Sequence, residues 1–364
     1  MKIKEITNYL ESLAPISSQE SYDNSGLIVG DPNQEVSKIL VSLDCIEKTV
    51  DEAIETGCNM IISHHPIVFR GLKKINGSDY IQHTVIKAIK NDVAIYAIHT
   101  NLDNYRYGVN AEIGKRMGLS NLKILAPKNQ VLNKLVCLVP NDQLEEVRQA
   151  MFDAGAGNIG NYSSCSFSAQ GIGTFEPNQN ANPFSGEIGK RAHENEARLE
   201  VLVASHSVGG VILAMKNAHP YEEVPYDAYT LINENEFEGA GMYGQLATEM
   251  DEVEFLTQLK DRFNCGIIRH TELSGKKIKT VAFCGGAGSF LLSKAKRVKA
   301  DIFITGDYKY HEFFDAEGEI IIADIGHYES EQYTSSLLKE ILTKKFPKFA
   351  VQLSRKNTNP IKYF

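Results

Sequence analysis

The sequence predicts an α/β protein in which two similar α/β halves form one metal-binding domain, interrupted by an inserted ferredoxin-like α+β domain. Two observations support the halves. Short apolar runs rich in β-branched residues alternate with amphipathic helical patterns at both ends of the chain. Several of these runs end in histidine or aspartate. The third observation is that the predicted elements of the middle follow the order β-α-β-β-α-β over about a hundred residues.

Composition and charge are those of an ordinary globular protein. The 364 residues are 43% hydrophobic and 23% charged, and this length favours two or three domains. The net charge of −8 indicates no basic stripe, so we expect no nucleic-acid partner. No apolar run reaches the ~20 residues of a membrane helix, and residues 1–14 are amphipathic, so we expect neither a membrane span nor a signal peptide. The six scattered cysteines contain no Cys-x-x-Cys pair, which predicts reduced thiols in a cytoplasmic protein.

The first half of the predicted metal-binding domain, residues 1–127, alternates helices and strands. The apolar stripe of residues 1–14 predicts an opening helix. The predicted elements after it are a strand at 38–44, a helix at 46–56, a strand at 58–63, a helix at 79–91 and a strand at 93–98. Because the apolar runs are continuous rather than alternating, they predict buried strands of a parallel sheet, joined by right-handed crossovers.

The middle of the chain, residues 128–237, changes character. The predicted elements are a strand at 133–139, a helix at 141–154, a strand at 199–203, a helix at 205–217 and a closing strand at 224–232. Between Gly155 and Gly189 the chain is rich in turn-forming residues. The segment His219-Pro220-Tyr221-Glu222-Glu223 has the composition of a site, but we favour its interpretation as a loop that closes the domain.

The second half of the metal-binding domain, residues 238–364, returns to the first pattern. Predicted strands occupy 280–284, 301–305 and 319–324. The run 58–65 aligns with 300–307, which favours two similar halves; a chance likeness between two β-α-β units is the alternative. The glycine loop, Gly285-Gly286-Ala287-Gly288-Ser289, either offers N–H groups to a phosphate or lets a helix pack closely on a strand.

Metal-type ligands follow the apolar strands of both halves, where open α/β sheets bind their ligands. His64 and His65 end one run, and Asp103 follows another. His327 and Glu331 are one helical turn apart, which predicts that they share a face. Adjacent histidines in an extended segment point to opposite sides, so we expect each to serve one ion of a pair. This mixed set suits zinc, iron or manganese better than calcium or magnesium.

Taken alone, each of these side chains is at least as well explained as an ordinary core or surface group. The convergence of four segments on one sheet edge favours the metal site. Glu329 is an alternative carboxylate on the last helix, although it faces elsewhere. Asp307 and His311 are either ligands or partners of ligands, and His99 either orients Asp103 or contacts a substrate.

The sequence resembles the GTP cyclohydrolase I type 2 homologue family, the Nif-three-like proteins. The stretches that carry the resemblance are residues 22–27, 63–69, 99–103, 306–311 and 324–331. Family members often have Trp where this chain has Tyr22, a departure that concerns a pocket wall rather than a ligand. Residues 155–162 and 218–223 resemble the PII-like insertion of the longer bacterial members. The resemblance therefore covers nearly the whole chain.

The resemblance implies a dinuclear centre with two divalent metal ions per chain. In it, His64 and Asp103 would bind one ion, His65 and His327 the other, with Glu331 between them. It also implies a toroidal homohexamer whose metal sites face an inner cavity. The family name implies GTP ring opening.

Two hypotheses about function follow. In the first, the protein is a metal-dependent hydrolase that uses a metal-bound water on a nucleotide-like or phosphate-bearing substrate. Glu331 would bridge the ions or steer the water, and His99, Asp307 and His311 are candidates for substrate contact or proton transfer. In the second, it is a metal-binding regulatory, sensor or scaffold protein without catalysis, whose inserted domain senses an unknown small molecule.

Overall fold

A computed structural model describes residues 1–364 of the protein. The chain divides into two compact units, one made of Met1–Pro127 and Phe237–Phe364 and the other of Lys128–Glu236. Helices alternate with strands that form three sheets, so the predicted mixed α/β class is confirmed. None of the helices combines the length and the apolar composition that crossing a membrane requires.

Helices and strands occur in both units. The helices are α1 (Ile3–Leu13), α2 (Glu47–Thr56), α3 (Tyr80–Lys90), α4 (Thr100–Asp103), α5 (Val109–Met117), α6 (Leu144–Asp153), α7 (Val208–Ala218), α8 (Glu252–Arg262), α9 (Leu292–Arg297), α10 (His327–Glu331) and α11 (Thr334–Lys345). The strands are β1 (Gly26–Val29), β2 (Ile39–Ser42), β3 (Met60–Ser63), β4 (Ala94–Ala97), β5 (Ser120–Asn129), β6 (Leu132–Pro140), β7 (Ser166–Phe175), β8 (Ala192–Ala204), β9 (Tyr226–Leu231), β10 (Glu234–Asp251), β11 (Arg269–His270), β12 (Lys277–Ala287), β13 (Ile302–Gly306), β14 (Ile321–Asp324) and β15 (Val351–Leu353).

The first sheet has the strand order β1-β4-β3-β2-β15. Its strands β4, β3, β2 and β15 run parallel, and β1 is antiparallel at the edge. Every residue of β2, β3 and β4 is buried, because helices α2 and α3 cover one face and the main core covers the other. The predicted parallel, fully buried strand that ends before His64 is therefore present as β3.

The second sheet has the order β11-β14-β13-β12-β10-β5. Here β12, β13 and β14 are parallel, while β10 and β11 pair antiparallel with β12 and β14. One apolar cluster contains side chains from both sheets, such as Ile62 of β3 and Ile304 of β13. The two sheets thus share a core within the same unit, and the carboxyl ends of their parallel strands contribute to one site.

The unit Lys128–Glu236 contains one antiparallel sheet with the order β7-β8-β6-β9. Helices α6 and α7 pack on one face through a core that includes Leu199 and Met215. Strand β7 lies within the turn-rich stretch between Gly155 and Gly189, where sequence analysis located no strand, and it is the second strand of the order β-α-β-β-α-β. Most of β7 is exposed and it contains two glycines, which removes the alternation of apolar and polar residues that marks a strand.

Candidate metal centre

Segments that follow strands of both sheets bring six ionisable side chains together. Two follow β3 directly, one precedes α4 and one is its last residue, and two are the first and last residues of α10 after β14. They are His64, His65, His99, Asp103, His327 and Glu331. Within this set, three overlapping groups bring their ligand atoms within 4.8 Å of one another: His64 with His65 and His99, His65 with His327 and Glu331, and His64 with Asp103 and Glu331.

Helix α10 has the geometry that its spacing predicts. His327 Nε2 lies 3.1 Å from Glu331 Oε2, because residues four apart on a helix share a face. Glu329 is also buried, but it accepts a hydrogen bond from Asn359 Nδ2 at 3.2 Å and lies outside the three groups. The argument that Glu329 faces elsewhere is therefore confirmed.

The two adjacent histidines do not point to opposite sides, and that expectation is wrong. Strand β3 ends at Ser63, so the alternation of an extended strand no longer applies to the next two residues. The ring centroids of His64 and His65 are 4.9 Å apart, and their Nε2 atoms lie 3.9 and 3.0 Å from Glu331 Oε2. Both imidazoles therefore face one carboxylate.

Each imidazole of the cluster is held through its Nδ1 atom. The four contacts are His64 to the carbonyl of Ile98 at 2.8 Å, His65 to Asp44 at 2.7 Å, His99 to Asp23 at 2.7 Å and His327 to Asp307 at 2.8 Å. Carbonyl and carboxylate oxygens only accept, so Nδ1 carries the proton and a neutral ring keeps its lone pair on Nε2. Such contacts are the usual way in which proteins orient histidines that bind a metal.

The Nε2 atoms meet a carboxylate at distances that need a positive charge between them. His65 Nε2 and His327 Nε2 lie 3.0 and 3.1 Å from Glu331 Oε2. A lone pair facing a carboxylate oxygen is repulsive, and only a proton or a cation makes the contact favourable. Without a cation, protons fill that role. Burial lowers the pKa of His65, but its hydrogen bonds to Asp44 and Glu331 outweigh this effect and raise the pKa to about 9. The charge of Glu331 raises the pKa of His327 to about 11.

Two buried atoms of the cluster have no hydrogen-bond partner. They are His64 Nε2 and Asp103 Oδ1, which lie 3.5 Å apart. Leaving buried polar atoms unpaired costs ~1–3 kcal/mol each. Two ligands bound at ~2.0–2.1 Å to one tetrahedral ion lie about 3.4 Å apart, so this pair has the separation of two donors to one cation. The donors present therefore fit a divalent metal ion.

The two carboxylates of the cluster differ in protonation. Burial, together with the neighbouring charge of Glu331, raises the pKa of Asp103 to about 8. For Glu331 burial acts in the same direction, but His327 and the other imidazoles hold its pKa well below the usual value. Without an ion, protons on Asp103, His65 and His327 therefore supply the positive charge that Glu331 needs, and a divalent cation would take the place of those protons.

The glycine loop does not form a phosphate cradle. The N–H groups of Gly285, Gly286 and Gly288 donate to side-chain oxygens of Asn110, Ser330 and Thr305 at 2.8–3.0 Å. Gly286 has a φ of +60°, and a Cβ atom there would lie 2.5 Å from Glu331 Oε1. The loop therefore needs glycine because the metal-ligand candidates lie against it.

A cavity of about 600 Å³ opens above the cluster. Four exposed aromatic side chains line it: Tyr22, Phe69, Tyr80 and Phe290. The rings of Tyr22 and Phe69 lie 6.1 Å apart, and Phe69 lies 6.1 Å from the ring of His99. Neither lysine nor arginine is among the lining residues, so the protein itself offers aromatic faces rather than positive side chains to a ligand.

The remaining two site predictions lie in different surroundings. Asp307 follows β13, lines the cavity and accepts from His327, so it contacts the cluster. His311 lies on an exposed 3-10 segment, where its ring contacts Tyr310 and Phe314, and it does not line the cavity. Catalytic roles for Asp307 and His311 stay predictions.

Sequence analysis missed the carboxylates that hold two of the imidazoles. Asp44 lies at the end of the strand predicted at 38–44, so a search for acids at strand ends would have found it. Asp23, the partner of His99, lies in a polar stretch without such a signal, and its contacts with His99 and Thr100 hold its pKa low against the effect of burial. Thr358 of the C-terminal segment donates to Asp44 Oδ2 from 314 residues away. No local pattern predicts that contact.

Comparisons with known proteins give one consistent result. The family model described as Duf34/NIF3 (NGG1p interacting factor 3) matches residues 1–360. Proteins named GTP cyclohydrolase 1 type 2 homolog match from Halalkalibacterium halodurans, at 39% identity over 93% of this chain and 91% of the relative, and from Bacillus subtilis, at 37% identity over 99% and 98%. The crystal structure of a Bacillus cereus protein related to NIF3 is similar, with a TM-score of 0.87 and 37% identity over 100% of this chain and 99% of that one.

Proposed function

The chain belongs to the Duf34/NIF3 family, and on that premise we propose that it is a metal-dependent hydrolase with a centre for two divalent cations. The observation that carries the proposal is the buried pair His64 Nε2 and Asp103 Oδ1, which has no hydrogen-bond partner and the separation of two ligands to one ion. In this proposal, His64 and Asp103 hold one ion, His65 and His327 hold the other, and Glu331 is shared. The imidazole and carboxylate donors suit zinc, iron or manganese.

When bound, a pair of divalent cations supplies Lewis-acid charge and lowers the pKa of water towards neutrality. The chain's own groups set up that chemistry. Asp44 and Asp307 fix the rings of His65 and His327, so that their Nε2 atoms face Glu331. His99 lines the cavity with Asp23 on its Nδ1, which leaves Nε2 to accept a proton from a substrate or return one.

The proposed substrate class is nucleotide-like or phosphate-bearing. The name of the relatives refers to GTP, and the exposed rings of Tyr22 and Phe69 support stacking of a planar base. A polyphosphate would meet no lysine or arginine among the lining residues, and the N–H groups of Gly285, Gly286 and Gly288 are already paired. We therefore expect the ring of the substrate to be recognised by the protein and any phosphate by the cations.

The decisive experiment is elemental analysis of protein purified without added metal. We expect about two ions per chain in the wild type and a loss of metal in His65→Ala and Glu331→Ala. His193→Ala, which removes an exposed histidine of β8, is the matched control and keeps the wild-type content. A wild-type protein that contains no metal, or that keeps it in both cluster variants, contradicts the proposal.

Catalysis needs a separate test. The metal-loaded wild type is screened for phosphate release from nucleotides and for ring opening of GTP, with Glu331→Ala as the background. Turnover that depends on Glu331 supports the hydrolase. Full metal content with no turnover of any substrate leads instead to the alternative, a metal-binding regulatory, sensor or scaffold protein. The cavity described below in Lys128–Glu236 favours a sensor among these.

We also propose that Lys128–Glu236 is a PII-like insertion, since its elements follow β6-α6-β7-β8-α7-β9 with the sheet order β7-β8-β6-β9. The two sheets of the other unit each centre on three parallel strands, which supports an origin in two similar halves. We propose a toroidal homohexamer in the cytoplasm, the latter supported by six free cysteines. Light scattering that reports any mass other than six chains contradicts the hexamer.

A further inference from the structure

A cavity of about 510 Å³ lies within the unit Lys128–Glu236. We propose that this cavity binds a small organic cation, an ammonium group carried on an apolar body. Its lining combines three aromatic rings, a buried glutamate and several apolar side chains, and neither lysine, arginine nor histidine is among them. The proposal does not depend on the metal centre.

The buried glutamate is Glu196 of β8, which is 5% exposed and lines the cavity. Its Oε1 atom accepts a hydrogen bond from the hydroxyl of Tyr221 at 2.8 Å. A buried carboxylate is costly unless a positive charge compensates it, and a hydroxyl is neutral. A cation in the cavity would supply the missing charge.

The backbone of the neighbouring strand leaves space for this carboxylate. Gly173 of β7 lies beneath it, and a Cβ atom at that position would be 1.9 Å from Glu196 Oε2. Any side chain at Gly173 would therefore displace the carboxylate. The glycine in an otherwise regular strand thus has a steric reason that concerns the cavity.

Three aromatic rings line the same cavity: Phe175, Phe184 and Tyr221. The ring of Tyr221 lies 6.1 Å from Phe175 at an interplanar angle of 59°, and 6.0 Å from Phe184 at 48°. Rings inclined to one another present their faces from different directions, which is how aromatic sites bind ammonium ions. Phe184 is 58% exposed, so its face is open to a ligand.

The segment His219-Pro220-Tyr221-Glu222-Glu223 fixes these walls. His219 donates from Nε2 to the carbonyl of Leu138 at 2.8 Å and accepts the N–H of Tyr221 on Nδ1 at 3.1 Å, so it is neutral and holds the tyrosine in place. Glu222 accepts the N–H of Asn182 at 2.8 Å, which ties down the segment that contains Phe184. The loop predicted to close the domain therefore also shapes the cavity.

The charge of the lining selects the sign of the ligand. Glu176, Glu222 and Glu223 line the cavity together with Glu196. Four carboxylates without a basic side chain repel an anion and attract a cation. The volume suits a metabolite of modest size, and the apolar prolines and alanine of the lining suit the carbon body that carries the ammonium group.

Calorimetry of the full-length, metal-loaded protein tests the proposal with two pairs of probes. They are choline against its uncharged isostere dimethylbutanol, and butylammonium against butanol. We expect at least one cation to bind about tenfold more tightly than its neutral partner. Glu196→Gln should remove about tenfold of that affinity, and Phe184→Leu, which changes an exposed ring and does not threaten the fold, should remove several-fold.

Glu200→Gln is the matched control. Glu200 lies on the same strand, but its carboxylate is paired with Arg198 and Lys134, so its loss should leave the probe affinity unchanged. Three results would overturn the proposal: equal binding of the charged and neutral probes, no binding of either cation, or an equal effect of Glu196→Gln and Glu200→Gln. Glu196-dependent binding of calcium in place of both ammonium probes would also overturn it.

Discussion

The cavity above the metal-ligand cluster and the cavity of the unit Lys128–Glu236 each contain a buried glutamate, and they surround it differently. Glu331 is 3% exposed and faces the Nε2 atoms of imidazoles whose other nitrogen is already bound. Glu196 is 5% exposed, accepts a hydrogen bond from one hydroxyl and lines its cavity together with three aromatic rings. The carboxylate is the same group in both, so its neighbours determine the cation. Convergent lone pairs suit a metal ion, and aromatic faces suit an organic ammonium ion.

The two carboxylates share one steric feature. A Cβ atom at Gly286 would lie 2.5 Å from Glu331 Oε1, and one at Gly173 would lie 1.9 Å from Glu196 Oε2. Backbone without a side chain lets each carboxylate settle into a buried position. The comparison can therefore be tested by substituting the buried carboxylate, the residues that hold its partners, or the glycine beside it.

The largest expected effect is the loss of metal-dependent stability in Glu331→Gln. A ligand present at ~1,000 times its dissociation constant stabilises a folded protein by about 4 kcal/mol, so a chelator should lower the Tm of the metal-loaded wild type by several degrees. Glu331→Gln should lack this response because Glu331 belongs to two of the three ligand groups. Melting curves with and without chelator measure it. Glu196→Gln is the control, and the comparison fails if Glu196→Gln loses the response as well.

The next effect concerns the two glycines. Gly286→Ala should lower metal content, because the new methyl group overlaps Glu331 and the left-handed backbone disfavours alanine by about 1 kcal/mol. Gly173→Ala should lower the affinity for whichever ammonium probe binds, without changing the metal content. Elemental analysis and calorimetry on both variants measure these effects. Gly209→Ala on α7, where an added Cβ meets no atom within 4 Å, should change neither quantity. If Gly286→Ala changed the probe affinity, or Gly173→Ala changed the metal content, the two cavities would not be independent.

A smaller loss of metal affinity is expected when the partners of the imidazoles are removed. Asp44→Ala and Asp307→Ala should each raise the metal dissociation constant by ~10–100-fold, because such partners orient the ring and increase its basicity. Competition with a metal-binding dye measures the constant. Asp315→Ala removes an exposed acid and should have no effect. Unchanged metal affinity in both Asp44→Ala and Asp307→Ala would contradict the role of these carboxylates in positioning the imidazoles.

The smallest effect is a pH dependence of the stability of the unit Lys128–Glu236. Burial lowers the pKa of His219 from its usual value of 6.5. The unfolded chain then takes up a proton near pH 6.5 that the folded chain binds only at lower pH, so the free energy of unfolding should fall as pH drops below 6.5. His219→Gln should show less of this decline. Urea unfolding at pH 7.5 and 5.5 in wild type and variant tests the difference, and an identical decline in both would exclude His219 as its source.

Sequence analysis was most successful where the signal was local. The parallel strand before His64, the helix at Tyr80–Lys90 and the shared face of His327 and Glu331 follow from burial pattern and helical period alone. It did not locate β7, whose exposed residues and glycines show no alternation of apolar and polar residues. It also missed the long strand β10 and the C-terminal strand β15. These strands are stabilised by pairing with distant segments, which a local window does not contain.

The sequence by itself determined the chemistry of this protein: which strands end in imidazole or carboxylate, and hence which side chains are able to meet. Tertiary structure decided the rest. It brought His65 within 3.0 Å of Glu331 across 266 residues, joined Asp44 to Thr358 across 314, and turned the glycine loop towards Glu331 rather than towards a phosphate. The physical reason is the distance along the chain over which each interaction acts. Backbone preference and hydrophobic period act over a few residues, whereas orientation of a buried ring or carboxylate depends on hydrogen bonds and packing that exist only after the sheets have come together.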